Sequence, residues 1–104
     1  MLSKITFVGG GVMAEAMLQG VLSRKLVSAS DITVSEPRKE RCQELKAKYG
    51  IAVTDQNVDA VTRSRIIVLC IKPQDVASVL NELRSRLEEG QLVISIVAGT
   101  RLAP

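Results

Sequence analysis

Five short apolar runs alternate with stretches of helical character along the chain, and no other feature narrows the possible folds as far. "KITFVG", "DITVSE", "IAVT", "RIIVLCI" and "QLVISIVAG" are short and rich in β-branched residues, as strands are. "RIIVLCI" is apolar without alternation, the pattern of a strand covered on both faces. Between the runs, "VMAEAMLQGVLSRKL" spaces Val12, Met13, Ala16, Met17, Gly20 and Val21 along one helical face. "PRKERCQELKAKYG" predicts a helix with Pro37 in its first turn and Gly50 at its end. "PQDVASVLNELRSRLEEG" repeats that asymmetry with Pro73 and Gly90. "DQNVDAVTRS" predicts a loop or a short helix. Strands joined by crossover helices cannot form hairpins, so they pair in parallel. Right-handed crossovers then give an α/β fold: a Rossmann-type, doubly wound parallel sheet in the order 3-2-1-4-5, with helices on both faces.

Composition agrees with a single globular domain and excludes several functions. The chain has 104 residues, of which 46% are hydrophobic and 24% charged, with a net charge of +3. Its Lys and Arg are interspersed with acids, as on a solvated helix face. Phe7 and Tyr49 are its only aromatic residues, so there is no stacking platform for bases and no nucleic-acid partner is expected. Histidine is absent, which removes the commonest zinc ligand and the commonest general acid or base; no metal is expected. Cys42 and Cys70 stand outside any CxxC pattern and read as reduced thiols, Cys70 as a small core residue, in a cytoplasmic protein. No run is long enough for a membrane span. The sequence stops at "GTRLAP", just past a strand expected to be buried. Residues 1–104 therefore read as the N-terminal dinucleotide-binding domain of a longer chain.

"FVGGGVMAEA" places three glycines between the first strand and the first helix. Gly9, Gly11 and Ala14 fit G-x-G-x-x-A at a strand–turn–helix junction. In that motif the first glycine makes the bend, the second lets the backbone approach a pyrophosphate, and the small third residue lets helix and strand pack closely. The N–H groups and positive end of the helix face the phosphates. Gly10 reads as the permissive middle position, and a side chain at Gly11 would occupy the ligand's space.

Three further signals lie where strands end. At "SEPRK", Glu36 can accept from both ribose hydroxyls, the NAD pattern, whereas Arg38, with Lys39, can pair with a 2′-phosphate, the NADP pattern. Ser35 can add a hydrogen bond. Arg38 and Lys39 read equally well as ordinary helix surface. At "CIKPQDV", Lys72 follows a buried strand that faces the switch point of the sheet; alternatively its stem lies on apolar surface with the ammonium in water. At "VAGT", small residues let a flat nicotinamide ring reach the main chain. Both NADP(H) and NAD(H) are expected to bind, with a modest preference for NADPH.

Together, "ITFVGGGVMAEAMLQGVL", "ITVSEP", "YGIAVTDQNVDAV", "VLCIKPQDV" and "VISIVAGT" resemble the N-terminal domain of the pyrroline-5-carboxylate reductases, in order and with matching spacing over nearly the whole chain. That family reduces the C=N bond of 1-pyrroline-5-carboxylate to give proline, using NAD(P)H. The resemblance implies that Gly9 to Ala14, including Val12 and Met13, carry the dinucleotide turn. It implies that Asn57 contacts the cofactor ribose, that Ile71, Lys72 and Pro73 lie beside the cofactor, and that the backbone of Ala98 and Gly99 meets the nicotinamide. Glu36 stands where several NADP-preferring members have a small polar residue. The family's helical C-terminal domain, which forms the homo-oligomer and supplies the imine pocket, is absent, so no catalytic residue is expected within this chain. Two alternatives stay open. One is a related reductase, of the coenzyme F420-linked or 3-hydroxyacid dehydrogenase type, against which "YGIAVT" and "IKPQDV" argue. The other is a non-catalytic Rossmann paralogue acting as a ligand sensor or assembly module.

Overall fold

A computed structural model describes residues 4–96. Its elements are β1 (Ile5–Val8), α1 (Val12–Ser23), β2 (Ile32–Ser35), α2 (Lys39–Tyr49), β3 (Ala52–Thr54), α3 (Asn57–Val61), β4 (Ile66–Leu69), α4 (Pro73–Leu83) and β5 (Leu92–Ser95). Single 3₁₀ turns precede β2 and follow α4. All five strands are parallel, in the expected order β3-β2-β1-β4-β5. Ile5 of β1 lies opposite Ile32 on one side and Ile66 on the other.

Residue alternation along each strand feeds two separate cores. On one face, Ile5, Phe7, Ile32, Val34 and Val68 meet Ala14 and Leu18 of α1 and Leu45 of α2. On the other, Val8, Ile67 and Leu69 meet Val61 of α3 and Leu83 of α4. Thr6 also points to this second face and is fully buried. Its hydroxyl donates to the Ala60 carbonyl (2.6 Å) and hydrogen-bonds the Ser64 hydroxyl, so its polarity is satisfied.

Three local expectations need correction. The inward face of α1 is carried by Ala14 and Leu18, flanked by Met17, Val21 and Leu22; Val12 is 85% exposed and Met13 43%. These two side chains sit at the mouth of the helix, beyond the sheet it packs on. Pro37 is not in the first turn of α2, which begins at Lys39 after an extended Arg38. Gly90 does not end α4: that helix stops at Leu83, tightens into a 3₁₀ turn, and Gly90 (φ +87°) serves the turn before β5. The other two ends are as expected. Pro73 opens α4, and Gly50 (φ +71°) closes α2 by donating its N–H to the Lys46 carbonyl at 2.8 Å. Helix α1 ends in a Schellman motif with a lysine in the left-handed position. Lys25 (φ +55°) donates to the Leu22 carbonyl and Leu26 to that of Val21.

Candidate functional site

Gly9, Gly10 and Gly11 follow β1 at the carboxyl edge of the sheet, and each is bare for a different reason. Gly9 has φ +105°, and a Cβ there would lie 2.3 Å from the Cys70 carbonyl oxygen, so the bend against β4 admits only glycine. Its N–H donates to the Ser35 carbonyl at 2.8 Å, tying the turn to β2. Gly10 is more constrained than a permissive middle position. A Cβ would come within 3.1 Å of Leu45 Cδ1 and 3.2 Å of Glu36 Cβ, because α2 and the end of β2 close over it. At Gly11 a Cβ would meet no heavy atom of the described residues within 4 Å. Packing among the described residues does not explain that glycine, whereas a ligand approaching the backbone there would. Ala14 is buried beneath this turn against the core.

Gly11 is also the N-cap of α1 and offers no side-chain cap. Its carbonyl accepts the first intrahelical bond, from Glu15 N–H at 3.0 Å. The N–H groups of the first turn, Val12 to Ala14, precede that bond and have no partner within the helix. They face a groove of about 760 Å³ lined by Gly11, Val12, three carboxylates (Glu15, Glu40 and Glu44) and three cations (Arg38, Lys39 and Arg41). The uncapped donors and the positive helix end suit an anionic ligand, while the cations of the lining are matched in number by its carboxylates.

Glu36 and Arg38 do not act as opposed readers of this groove; they are paired. Glu36 is only 4% exposed. Its Oε1 accepts the Gly10 N–H at 2.9 Å, and its Oε2 accepts both the backbone N–H and Nε of Arg38 at 2.9 Å. Burial opposes ionisation of this carboxyl. The hydrogen bonds from the Arg38 side chain and backbone and from Gly10 outweigh it and hold the carboxyl below its ordinary value. Arg38 is raised, chiefly by its hydrogen bond to Glu36, yet its side chain stays 65% exposed toward the groove. Ser35 is buried, and its hydroxyl donates to Asn57 Oδ1 at 2.5 Å; Asn57 Nδ2 in turn donates to Glu82 at 2.9 Å. The first residue of α3 is thereby joined to the end of β2 and to α4.

Ile71, Lys72 and Pro73 follow β4 on the other side of β1. Ile71 Cγ2 would lie 3.3 Å from a Cβ on Gly9. Lys72 is the extended N-cap residue of α4, as a residue before proline must be, and is exposed. Ala98 and Gly99 lie outside the described residues. Among the described residues no cluster of His, Cys, Asp or Glu suits a metal ion, and no helix is long and apolar enough to cross a membrane. Cys42 and Cys70 are both free. Cys70 is half-buried, and burial pushes its thiol up to about 11.

Two charged residues of the site carry no sequence signal. Arg41 of α2 donates from Nε to the Gly10 carbonyl (2.6 Å) and from Nη2 to Glu15 (2.8 Å), and it also pairs with Glu44. Glu15 of α1 accepts further bonds from Tyr49 (2.5 Å) and Lys48 (2.9 Å). The Tyr49 hydroxyl, then Lys48 and Arg41, lower its carboxyl to about 2. Only the i, i+3 spacing of Arg41 and Glu44 is visible locally.

Comparisons with known proteins point one way. The family described as NADP oxidoreductase, coenzyme F420-dependent, matches residues 4–99. The chain is 38% identical over 100 residues to a pyrroline-5-carboxylate reductase of Methanosarcina acetivorans, covering 96% of this chain and 37% of that protein. Its fold superposes on a pyrroline-5-carboxylate reductase of Coxiella burnetii with TM-score 0.86 and 32% identity, covering 93% of this chain and 36% of the other. A Plasmodium falciparum pyrroline carboxylate reductase with NADP bound gives TM-score 0.78 and 25% identity, over 96% and 35% of the two chains. The chain thus spans little more than a third of the length of these relatives.

Proposed function

Because the chain belongs to the NADP oxidoreductase, coenzyme F420-dependent family and resembles the pyrroline-5-carboxylate reductases within it, we propose that residues 1–104 are the cofactor-binding domain of an enzyme that reduces 1-pyrroline-5-carboxylate to proline. The open approach to Gly11 carries this reading, since nothing among the described residues accounts for a bare backbone there. The N–H groups at the start of α1 would hold the pyrophosphate. Val12 and Met13 would lie along it, and Ala14 would keep helix and strand close. Arg38 would face the adenosine ribose, set there by its pairing with the buried Glu36, and the buried Ser35 would hold Asn57 nearby. Ile71, Lys72 and Pro73 would flank the cofactor at the end of β4, with Ala98 and Gly99 beside the nicotinamide. When bound, the reduced nicotinamide supplies the hydride that the C=N carbon receives, which no side chain can supply. The task of this domain is to orient that ring and keep water from it.

The pairing of Glu36 with Arg38 and the Gly10 N–H supports NADP(H) over NAD(H). A carboxylate already engaged by three donors is a weak competitor for ribose hydroxyls, and it repels a 2′-phosphate less than a free one. The imine pocket, the proton donor and the homo-oligomer contacts would lie in a helical domain outside this chain, in a cytoplasmic enzyme. Coupled assays of the full-length protein with 1-pyrroline-5-carboxylate and each reduced cofactor test the proposal. Proline formation is expected, faster at low NADPH than at equal NADH. No proline with either cofactor overturns it.

A further inference from the structure

We infer that Arg41 is a positioning residue for the dinucleotide turn, acting on the pyrophosphate and not on the 2′-phosphate; this rests on the cofactor reading above. The observation is a clamp on both sides of one peptide segment. Glu36 Oε1 holds the Gly10 N–H at 2.9 Å, while Arg41 Nε holds the Gly10 carbonyl at 2.6 Å, and Arg41 Nη2 reaches the Gly11 carbonyl at 3.4 Å. A peptide unit is planar and trans, so its C=O and N–H point in opposite directions. Fixing the Gly10 carbonyl therefore fixes the Gly11 N–H, and fixing the Gly11 carbonyl fixes that of Val12. Those N–H groups belong to the turn that faces the groove. Glycine has no side chain to restrict its dihedrals, so a run of three needs such an external restraint to hold one donor geometry.

The environment of Arg41 fits this role better than that of a free cation. Its side chain is only 17% exposed, and Glu15 at 2.8 Å and Glu44 neutralise it. The hydrogen bond to Glu15 is also the main reason its own basicity is raised. Glu15 is anchored in turn by Lys48 and Tyr49, so the guanidinium is held from both helices. Arg38, with its largely exposed side chain, is the better candidate to read the ribose substituent.

The test is isothermal titration of the full chain with NADPH, NADH and adenosine 2′-monophosphate, which lacks the pyrophosphate. Arg41→Ala is expected to weaken NADPH and NADH in parallel, by roughly tenfold or more. Their affinity ratio and the affinity for adenosine 2′-monophosphate should stay within about twofold, a pattern that general loss of structure does not give. Arg41→Lys, which can hold one carbonyl but not both, should fall between. If Arg41→Ala does not fold, Arg41→Gln is read by the same criteria. Unchanged affinity for both dinucleotides overturns the inference and leaves the cofactor site standing. Selective loss of NADPH overturns it in favour of 2′-phosphate contact. Failure of the unmodified chain to bind either dinucleotide removes the cofactor reading itself, and the inference with it.

Discussion

Replacing Gly11 with valine puts a side chain where the backbone is already extended (φ −81°, ψ −164°) and where a Cβ meets no heavy atom of the described residues within 4 Å. Two small effects on stability then oppose each other. Narrowing the unfolded ensemble favours folding by about 0.4–1 kcal/mol. A branched apolar residue is a poorer N-cap than glycine, by about 0.5–1 kcal/mol. The net change is below about 1 kcal/mol, a Tm shift of no more than about 8 °C in a domain of this size. Position 9 behaves differently. Gly9→Ala requires φ near +105° and sets a Cβ 2.3 Å from the Cys70 carbonyl oxygen. Backbone strain alone costs about 1–3 kcal/mol. The backbone carrying that carbonyl has little room to withdraw, because the Cys70 N–H just before it donates to the Val8 carbonyl at 2.8 Å and ties this segment to β1. A loss of about 3–5 kcal/mol follows, a large part of the roughly 5–15 kcal/mol that holds a domain together. Thermal melting by circular dichroism and calorimetric titration with NADPH and NADH separate the two variants. Gly11→Val should melt near the unmodified protein and lose affinity for both cofactors by about a hundredfold or more, equivalent to about two charge-assisted hydrogen bonds. Gly9→Ala should melt at least about 10 °C lower. Unchanged NADPH affinity in Gly11→Val, or a larger fall in Tm there than in Gly9→Ala, refutes the division of labour between the two glycines.

Arg38→Ala should lower the NADPH-to-NADH affinity ratio, and Glu36→Ser, which releases Arg38, should raise it; paired titrations check both, and an unchanged ratio in Arg38→Ala sinks the specificity argument. Glu15 has its folded pKa depressed from 4.5 to about 2, so its contribution to stability is complete above pH 4.5 and is lost as pH falls toward 2. Urea melts of the unmodified protein and Glu15→Gln should therefore converge across that window, and a constant gap would exclude the mechanism. Lys25→Gly should raise stability by about 0.5–1 kcal/mol, because relief at a left-handed position exceeds glycine's entropy cost; a lower Tm would contradict it. The 104-residue chain alone should give no proline from 1-pyrroline-5-carboxylate, whichever cofactor is supplied, and any turnover would relocate the imine site.

Strand order was readable because most of the apolar runs are separated by helix-length crossovers, which rule out hairpins and leave few parallel arrangements. The glycine turn was readable for a similar reason: Gly9 and Gly11 stand at a strand–helix junction, where the backbone rather than a side chain does the work. The face of α1 was misread because hydrophobicity alone does not say where the sheet ends. Val12 and Met13 are apolar but overhang the carboxyl edge, and Ala14 and Leu18 reach the core instead. Arg41 and Glu15 were invisible because their contact depends on how close α1 and α2 pack, and a charged residue on α2 looks like solvated surface until that distance is known. Gly10 was underrated on the same account, since Leu45 comes from a distant helix.

The central place of β1 has a consequence for the order in which the chain can assemble during synthesis. Its first neighbour, β2, follows after one helix, so β1, β2 and β3 can pair once Thr54 has emerged. Its second neighbour is β4, and Ile5 must wait for Ile66. Until then the N-terminal half carries an open edge and a bare second face, a state prone to wrong pairing. Thr6 lies on that uncovered face, with a hydroxyl that water can satisfy until Ala60 and Ser64 arrive to replace it. A valine there would take the hydrogen bonds to Ala60 and Ser64 out of the finished fold and would also leave the nascent half-sheet with a continuous apolar strand. Thr6→Val should thus cost twice, in yield from the ribosome through the bare half-sheet and in melting temperature through the lost buried hydrogen bonds.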